Sequence, residues 1–257
     1  MPEPRVAIVT GASAGIGEAF ADALAQRGYD LLLVARTAAA LDAVAERVRS
    51  RGVRAQTVAV DLGSADAVDR VSEAAAAFGG TVELLVNNAG FGAHGGFETG
   101  AEDAARAMIR LNVESLVALT HRFVPAMLAR GRGSIVNVAS TAAFLPVPWM
   151  AVYGATKAFV LSFSEALAEE YRGRGVGVLA LCPGATETNF FAVAGEAASA
   201  GTTRRSPQAV VATALRALDA GSTVVVDGTS NAAMVMLPRF LPRGVVRRIT
   251  GRMMRGT

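Results

Sequence analysis

At 257 residues, with 52% hydrophobic and 18% charged side chains, the chain can bury a substantial core, which excludes an intrinsically disordered linker or tail. A single cysteine, Cys182, excludes an internal disulfide and points to a reducing, cytoplasmic setting. A net charge of +3, an opening with no basic-then-apolar leader and no run of ~18 apolar residues lead us to expect neither a nucleic-acid partner nor a membrane span.

Taken in chain order, apolar runs at Arg5–Thr10, Asp30–Ala35, Arg54–Val60, Val82–Val86, Gly133–Ala139, Val176–Cys182 and Thr223–Val226 read as strands. Most are continuous Val/Ile/Leu segments, the pattern of strands covered on both faces. Ala-rich stretches at about 15–28, 38–51, 64–78, 101–130, 150–173 and 206–220 read as helices. This alternation predicts right-handed βαβ units in an α/β fold, a Rossmann-like doubly wound parallel sheet of about seven strands. Nothing in the composition marks an internal boundary, so residues 1–257 are expected to form one dinucleotide-binding and catalytic domain with a C-terminal extension at 229–257.

The first strand runs into Gly11-Ala12-Ser13-Ala14-Gly15-Ile16-Gly17 and then a helix. Glycines permit positive φ and close approach of backbone to a ligand, and the helix N-terminus offers free N–H groups to a pyrophosphate. The spacing differs from the general G-x-G-x-x-G fingerprint, and a glycine turn alone is weak evidence; its place after the first strand strengthens it. The second strand ends in Ala35-Arg36 rather than in an acid. An acid there would accept from a ribose 2′-OH, whereas Arg36 can fork onto a 2′-phosphate, which favours NADP(H). Alternatively Arg36 starts the next helix in solvent. Asp61, closing the third strand, is placed to hydrogen-bond an adenine amino group.

Of the 25 basic residues, one is a lysine, Lys157, and it follows Tyr153 by four positions. That spacing puts phenol and ammonium on one helix face. An ammonium is a compact charge with an adjustable pKa, unlike a guanidinium, and a cation beside a phenol favours phenolate. The pair alone is equally compatible with an ordinary helix tyrosine and a coding bias toward arginine.

Together these residues resemble the short-chain dehydrogenase/reductase family, in its compact single-domain branch, over roughly residues 5 to 228. Its motifs stand in order as Thr10 to Gly17, Asp61-Leu62, Asn87-Asn88-Ala89-Gly90, Asn112, Ser140, Tyr153 with Lys157, and Pro183-Gly184 with Thr188. The resemblance implies hydride transfer between NADP(H) and a carbonyl or secondary alcohol, with Tyr153 as acid/base. It assigns Asn87 to tying strand ends together and Asn88, Ala89 and Gly90 to the adenosine ribose. Asn112 would kink its helix and hold a relay water, and Ser140 would stabilise the developing oxyanion. Lys157 would bind the nicotinamide ribose and lower the Tyr153 pKa; Pro183, Gly184, Thr186 and Thr188 would hold the nicotinamide. A homodimer or homotetramer is expected. A non-catalytic dinucleotide-binding regulator, or an isomerase or dehydratase on the same fold, is the alternative.

The substrate side is expected to be apolar. Ala142–Met150 carries Phe144 and Trp149, which serve a core equally well, and Phe190-Phe191 opens a lid spanning 187–206. That segment also reads as a surface loop. His94 is expected to be a solvated loop residue, His121 a helix-surface residue and Cys182 a core residue; no Cys/His cluster suggests a metal. From Arg239 onward there are six arginines and no acid, and Val245–Arg255 reads as a basic amphipathic helix. This tail is expected to cap the substrate pocket or form a dimer contact in preference to resting on anionic lipid.

Overall fold

The computed structural model describes residues 4–190, 194–195 and 204–255. Seven parallel strands form one sheet, β1 (Arg5–Thr10), β2 (Asp30–Ala35), β3 (Ala55–Ala59), β4 (Thr81–Asn87), β5 (Gly133–Val138), β6 (Val176–Cys182) and β7 (Val224–Val226). Their order is β3-β2-β1-β4-β5-β6-β7. The direction of winding reverses between β1 and β4, so a crevice opens at the carboxyl ends of these two strands, where doubly wound sheets bind ligands.

Alternation of side chains along the strands explains why they are apolar throughout. Ala7, Val9, Leu31, Leu33, Leu84 and Val86 face one layer, formed by α1 (Gly15–Gln26), α2 (Ala38–Arg49) and α7 (Pro207–Asp219). Ile8, Leu32, Val34, Leu85 and Ile135 face the other, formed by α3 (Ala67–Phe78), α5 (Ser115–Arg130) and α6 (Ala151–Glu170). Truncating a fully buried residue such as Ile8 to Ala would cost roughly 2–5 kcal/mol through lost transfer energy and a residual cavity.

The helix expected over 101–130 is interrupted. It runs as α4 (Glu102–Ile109), a π turn over Arg110–Glu114, and α5. After β7 the chain continues into α8 (Thr229–Met236), a 3-10 turn (Leu237–Phe240) and α9 (Arg243–Met254), which begins two residues before the expected helix. The sheet is otherwise as expected, with ends shifted by at most a residue or so.

Candidate active site

The β1–α1 turn builds one end of the crevice. Gly11 and Gly15 have φ of +63° and +60°, a region that side chains with a Cβ rarely enter. Gly17 serves differently: it is not left-handed, but a Cβ there would lie 2.1 Å from Gly11 O, so it is needed for helix–turn packing. A Cβ on Gly15 would meet Thr188 Cγ2 at 2.8 Å. The N-cap of α1 is Ala14, which has no side chain to satisfy the first-turn N–H groups. An anion is the fitting partner for them.

Thr10 and Asn88 lock this turn to β4. Thr10 Oγ1 donates to Val86 O and accepts from Asn88 N and Ala89 N, while Asn88 Nδ2 donates to Thr10 O at 2.8 Å. Asn88 lines the crevice, yet its amide is occupied in holding the turn. Asn87 ties strand ends as expected: its Nδ2 donates to Thr120 Oγ1 and to Asn137 Oδ1, and Asn137 Nδ2 donates to Ser164 Oγ. Further along the crevice stand Ala35, exposed Arg36, Asp61 and buried Leu62. Asp61 Oδ1 accepts from Gly63 N at 2.9 Å, which fixes the carboxylate at the edge. No carboxylate neutralises Arg36 among the described residues. Glycine cradle, uncapped helix and unpaired arginine together suit a dinucleotide carrying an extra phosphate.

At the other end, α6 carries Tyr153 and Lys157 toward the end of β5, where Ser140 follows Val138-Ala139. Ser140 and Tyr153 line the same cavity, and the Ser140 hydroxyl, which accepts from Ala142 N at 3.1 Å, is near enough to the phenol to favour its ionised form. Lys157 is buried, donates from Nζ to Val138 O at 2.7 Å, and lies 5.8 Å from the Tyr153 ring centroid. Burial pushes the phenol up to about 12, against a smaller downward pull from Ser140. Burial pulls the Lys157 ammonium down to about 8, against a smaller upward pull from the Cys182 thiol. The expected lowering of the phenol by the lysine is therefore not found in the protein alone: the two groups share a desolvated site, and loss of water dominates both.

Asn112 sits at the centre of the π turn, which accommodates it without ending the helix. Its Oδ1 accepts from Phe91 N at 3.1 Å, and its Nδ2 donates to Phe91 O and to Thr156 Oγ1. It lies behind the cavity wall and makes no direct bond to Lys157. Gly90 separates them: a Cβ there would lie 2.9 Å from Asn112 Oδ1 and 3.5 Å from Lys157 Nζ.

The crevice and the Ser140, Tyr153 and Lys157 group open into one cavity of about 740 Å³, which also reaches Pro183, Gly184, Thr186 and Thr188. Its far wall is apolar and includes Val147, Met150, Phe190, Leu237, Ile249 and Met253. Phe190 packs on Tyr153 with ring centroids 5.3 Å apart, and Gly92 must be glycine because a Cβ would lie 2.7 Å from the Phe190 ring. Two expected wall residues are elsewhere. Phe144 packs on the cluster around Leu116, Val160 and Cys182; Trp149 packs with Met150 and Met254, outside the cavity. The apolar 141–150 segment thus faces the core with these rings and the cavity with Leu145 and Val147.

The tail supplies the remaining wall, as α8 and α9 pack over the cavity. His94 is half-buried rather than solvated, because its Nε2 bonds Met254 O at 2.8 Å and so ties a loop to the end of α9. Asn231 is a residue the sequence did not single out. It donates to Asp227 O at 2.7 Å and packs so closely on Gly184 that a Cβ there would meet its Nδ2 at 2.4 Å. Nor did the sequence reveal that Arg205 pairs with fully buried Asp227 at 2.6 Å while bridging to Thr186. That bridge joins the two ends of the expected lid. Within it, residues 191–193 and 196–203, Phe191 among them, lie outside the described residues.

The chain matches the family model for short chain dehydrogenases over residues 5–198. It is 35% identical over 186 residues to the very-long-chain 3-oxoacyl-CoA reductase of Homo sapiens, a match covering 69% of this chain and 58% of that protein. The chain thus spans less than two thirds of that relative's length. Among solved structures, it resembles a short-chain dehydrogenase from Sphingobium yanoikuyae in complex with NADPH, with a TM-score of 0.81, 34% identity and 94% of each chain covered. It also resembles a short chain dehydrogenase/reductase from Burkholderia phymatum in complex with NAD, with a TM-score of 0.85 and 27% identity, covering 93% of this chain and 94% of that one. Family model, relatives and geometry agree, and the chain belongs to the short-chain dehydrogenase/reductase family.

Proposed function

We propose that the chain is an NADP(H)-dependent oxidoreductase that reduces an apolar ketone or aldehyde, acting over 1–257 as one dinucleotide-binding and catalytic unit. One observation carries the reading: Ser140, Tyr153 and the buried Lys157 line the same cavity as the glycine turn. Solved neighbours hold NADPH or NADP in several cases and NAD in one, which supports NADP(H). Ala35-Arg36 favours the phosphorylated cofactor.

Bound NADPH supplies the hydride. Tyr153, held protonated by burial, is set up to donate its proton to the carbonyl oxygen. The Ser140 hydroxyl, in the same cavity as the phenol, donates to that same oxygen and stabilises its growing charge. Lys157, an ammonium below a pH of about 8, then offsets the negative phenolate. Asn112 holds the Phe91 backbone and Thr156 in place behind the lysine. Arg36, Asp61 and the uncapped N-terminus of α1 would hold the nucleotide. The apolar wall and the 3-oxoacyl-CoA reductase relative both favour a long-chain carbonyl substrate.

The test is NADPH oxidation against a panel of apolar ketones, aldehydes and 3-oxoacyl thioesters, with Tyr153→Phe alongside. We expect turnover that Tyr153→Phe abolishes while NADPH affinity persists. Binding of NADPH with no turnover of any carbonyl would instead favour the regulator.

A further inference from the structure

We propose that the face made by the 3-10 turn and α9 docks on an anionic lipid surface, at the rim of the substrate cavity. Two independent properties coincide there. The first is exposed apolar surface: of nine large exposed hydrophobic residues among those described, six are Met236, Leu237, Phe240, Val245, Ile249 and Met253. Phe240 is 79% exposed. The second is charge: Arg239, Arg243, Arg247, Arg248, Arg252 and Arg255 lie in the same stretch, which contains no acid. Elsewhere ten arginines among the described residues pair with carboxylates, as Arg27 does with Asp219 and Arg47 with Glu18 and Asp22, though Arg36 does not. None of the six tail arginines does so among the described residues.

The arrangement within α9 is ordered. Val246, Thr250 and Met254, four apart, are buried against the body of the protein. Val245, Ile249 and Met253 form the neighbouring row and stay exposed. Arg252 falls seven residues after Val245, two turns along the same side, and Arg248 precedes Ile249, so cations border the exposed row. Half of the apolar stripe is thus satisfied internally and half is presented outward beside arginines. This is the pattern of a helix lying in a lipid interface. An acidic protein would match the arginines but would leave Phe240, Leu237 and Met253 without a counterpart. Among the described residues no helix is long and apolar enough to cross a membrane. Leu237, Ile249 and Met253 also line the cavity, so docking brings its rim to the acyl region of the lipid.

The test is co-sedimentation of the full chain with phosphatidylcholine vesicles and with mixed phosphatidylcholine–phosphatidylserine vesicles. We expect binding to the mixed vesicles only. Replacing Arg247, Arg248 and Arg252 by Gln should weaken it roughly a hundredfold, at about fivefold for each cation near an anionic surface. Phe240→Ser should weaken it roughly tenfold, by withholding one aromatic side chain from the interface. Circular dichroism of both variants should match the parent. No binding to mixed vesicles, or equal binding by parent and variants, overturns the proposal. Loss of binding by the arginine variant alone, with full competition by polyglutamate, also overturns it and makes the face a site for an acidic protein. Vesicle binding requires no turnover, so its failure leaves carbonyl reduction standing, and the converse holds.

Discussion

Lys157→Arg keeps a positive charge at the site, yet it should abolish most activity. Lys157 is 6% exposed and its ammonium makes one hydrogen bond to protein, to Val138 O at 2.7 Å. A guanidinium brings five N–H donors on a rigid plane into that space. Each buried donor left unpaired costs roughly 1–3 kcal/mol, so the side chain and its neighbours must shift to find partners. Tyr153, one helical turn away, shifts with them. A displacement of ~1 Å at a reacting centre costs about a hundredfold in rate. We therefore expect kcat/KM to fall at least a hundredfold, about 3 kcal/mol of transition-state stabilisation. The assay is steady-state NADPH oxidation with the best carbonyl found, alongside NADPH binding by fluorescence and thermal unfolding. Near-normal turnover in a folded Lys157→Arg protein would refute the argument that this position requires an ammonium.

The remaining predictions concern cofactor choice, pH and the tail junction. The parent should prefer NADPH over NADH by at least about tenfold, the worth of one charge-assisted bidentate contact, and Arg36→Ala should remove that preference; equal dissociation constants in the parent would refute the role of Arg36. The lowered pKa of Lys157 means that, between a pH of about 8 and 10.5, the unfolded chain keeps a proton the folded chain releases, so this group's contribution to stability rises with pH. In Lys157→Met that rise is absent, so its stability relative to the parent should fall by roughly 2–3 kcal/mol between about pH 7 and pH 10, read from urea midpoints; a difference independent of pH would refute the desolvated lysine. Arg205→Ala leaves the carboxylate of Asp227 buried without its cation and should destabilise the fold by about 3 kcal/mol, with substrate KM rising because the Thr186 bridge loosens; an unchanged unfolding midpoint would show that water replaces the guanidinium freely.

The sheet was legible because its strands are buried on both faces, so runs such as Leu31-Leu32-Leu33-Val34 carry no polar interruption. The proximity of Tyr153 and Lys157 was legible for a different reason: they are one helical turn apart, and their relation is local. Phe144 and Trp149 were misplaced because an apolar loop residue satisfies a core and a pocket equally well in one dimension. Only the turn geometry, including a positive φ of 61° at Trp149, decides which way each ring points. Asn112 was expected in a kinked helix, but propensity does not distinguish a kink from a π turn, whose extra residue is set by bonding to Phe91. The pairing of Arg205 with Asp227 spans 22 residues, and neither has a neighbour in sequence that announces it.

The chain of amides from Asn87 through Asn137 to Ser164 ties β4, β5 and α6 into a single plate beneath Tyr153. The tail joins that plate mainly through side chains packed on the far wall and through the short bond from His94 to Met254. The family match ends at residue 198, before α8 and α9 begin. On the proposed reading, the proton-transfer group and part of the substrate wall stand on separable lengths of chain. Exchanging residues 229–255 for the corresponding segment of another family member is accordingly a way to change which carbonyl is accepted while leaving the proton-transfer plate as it stands.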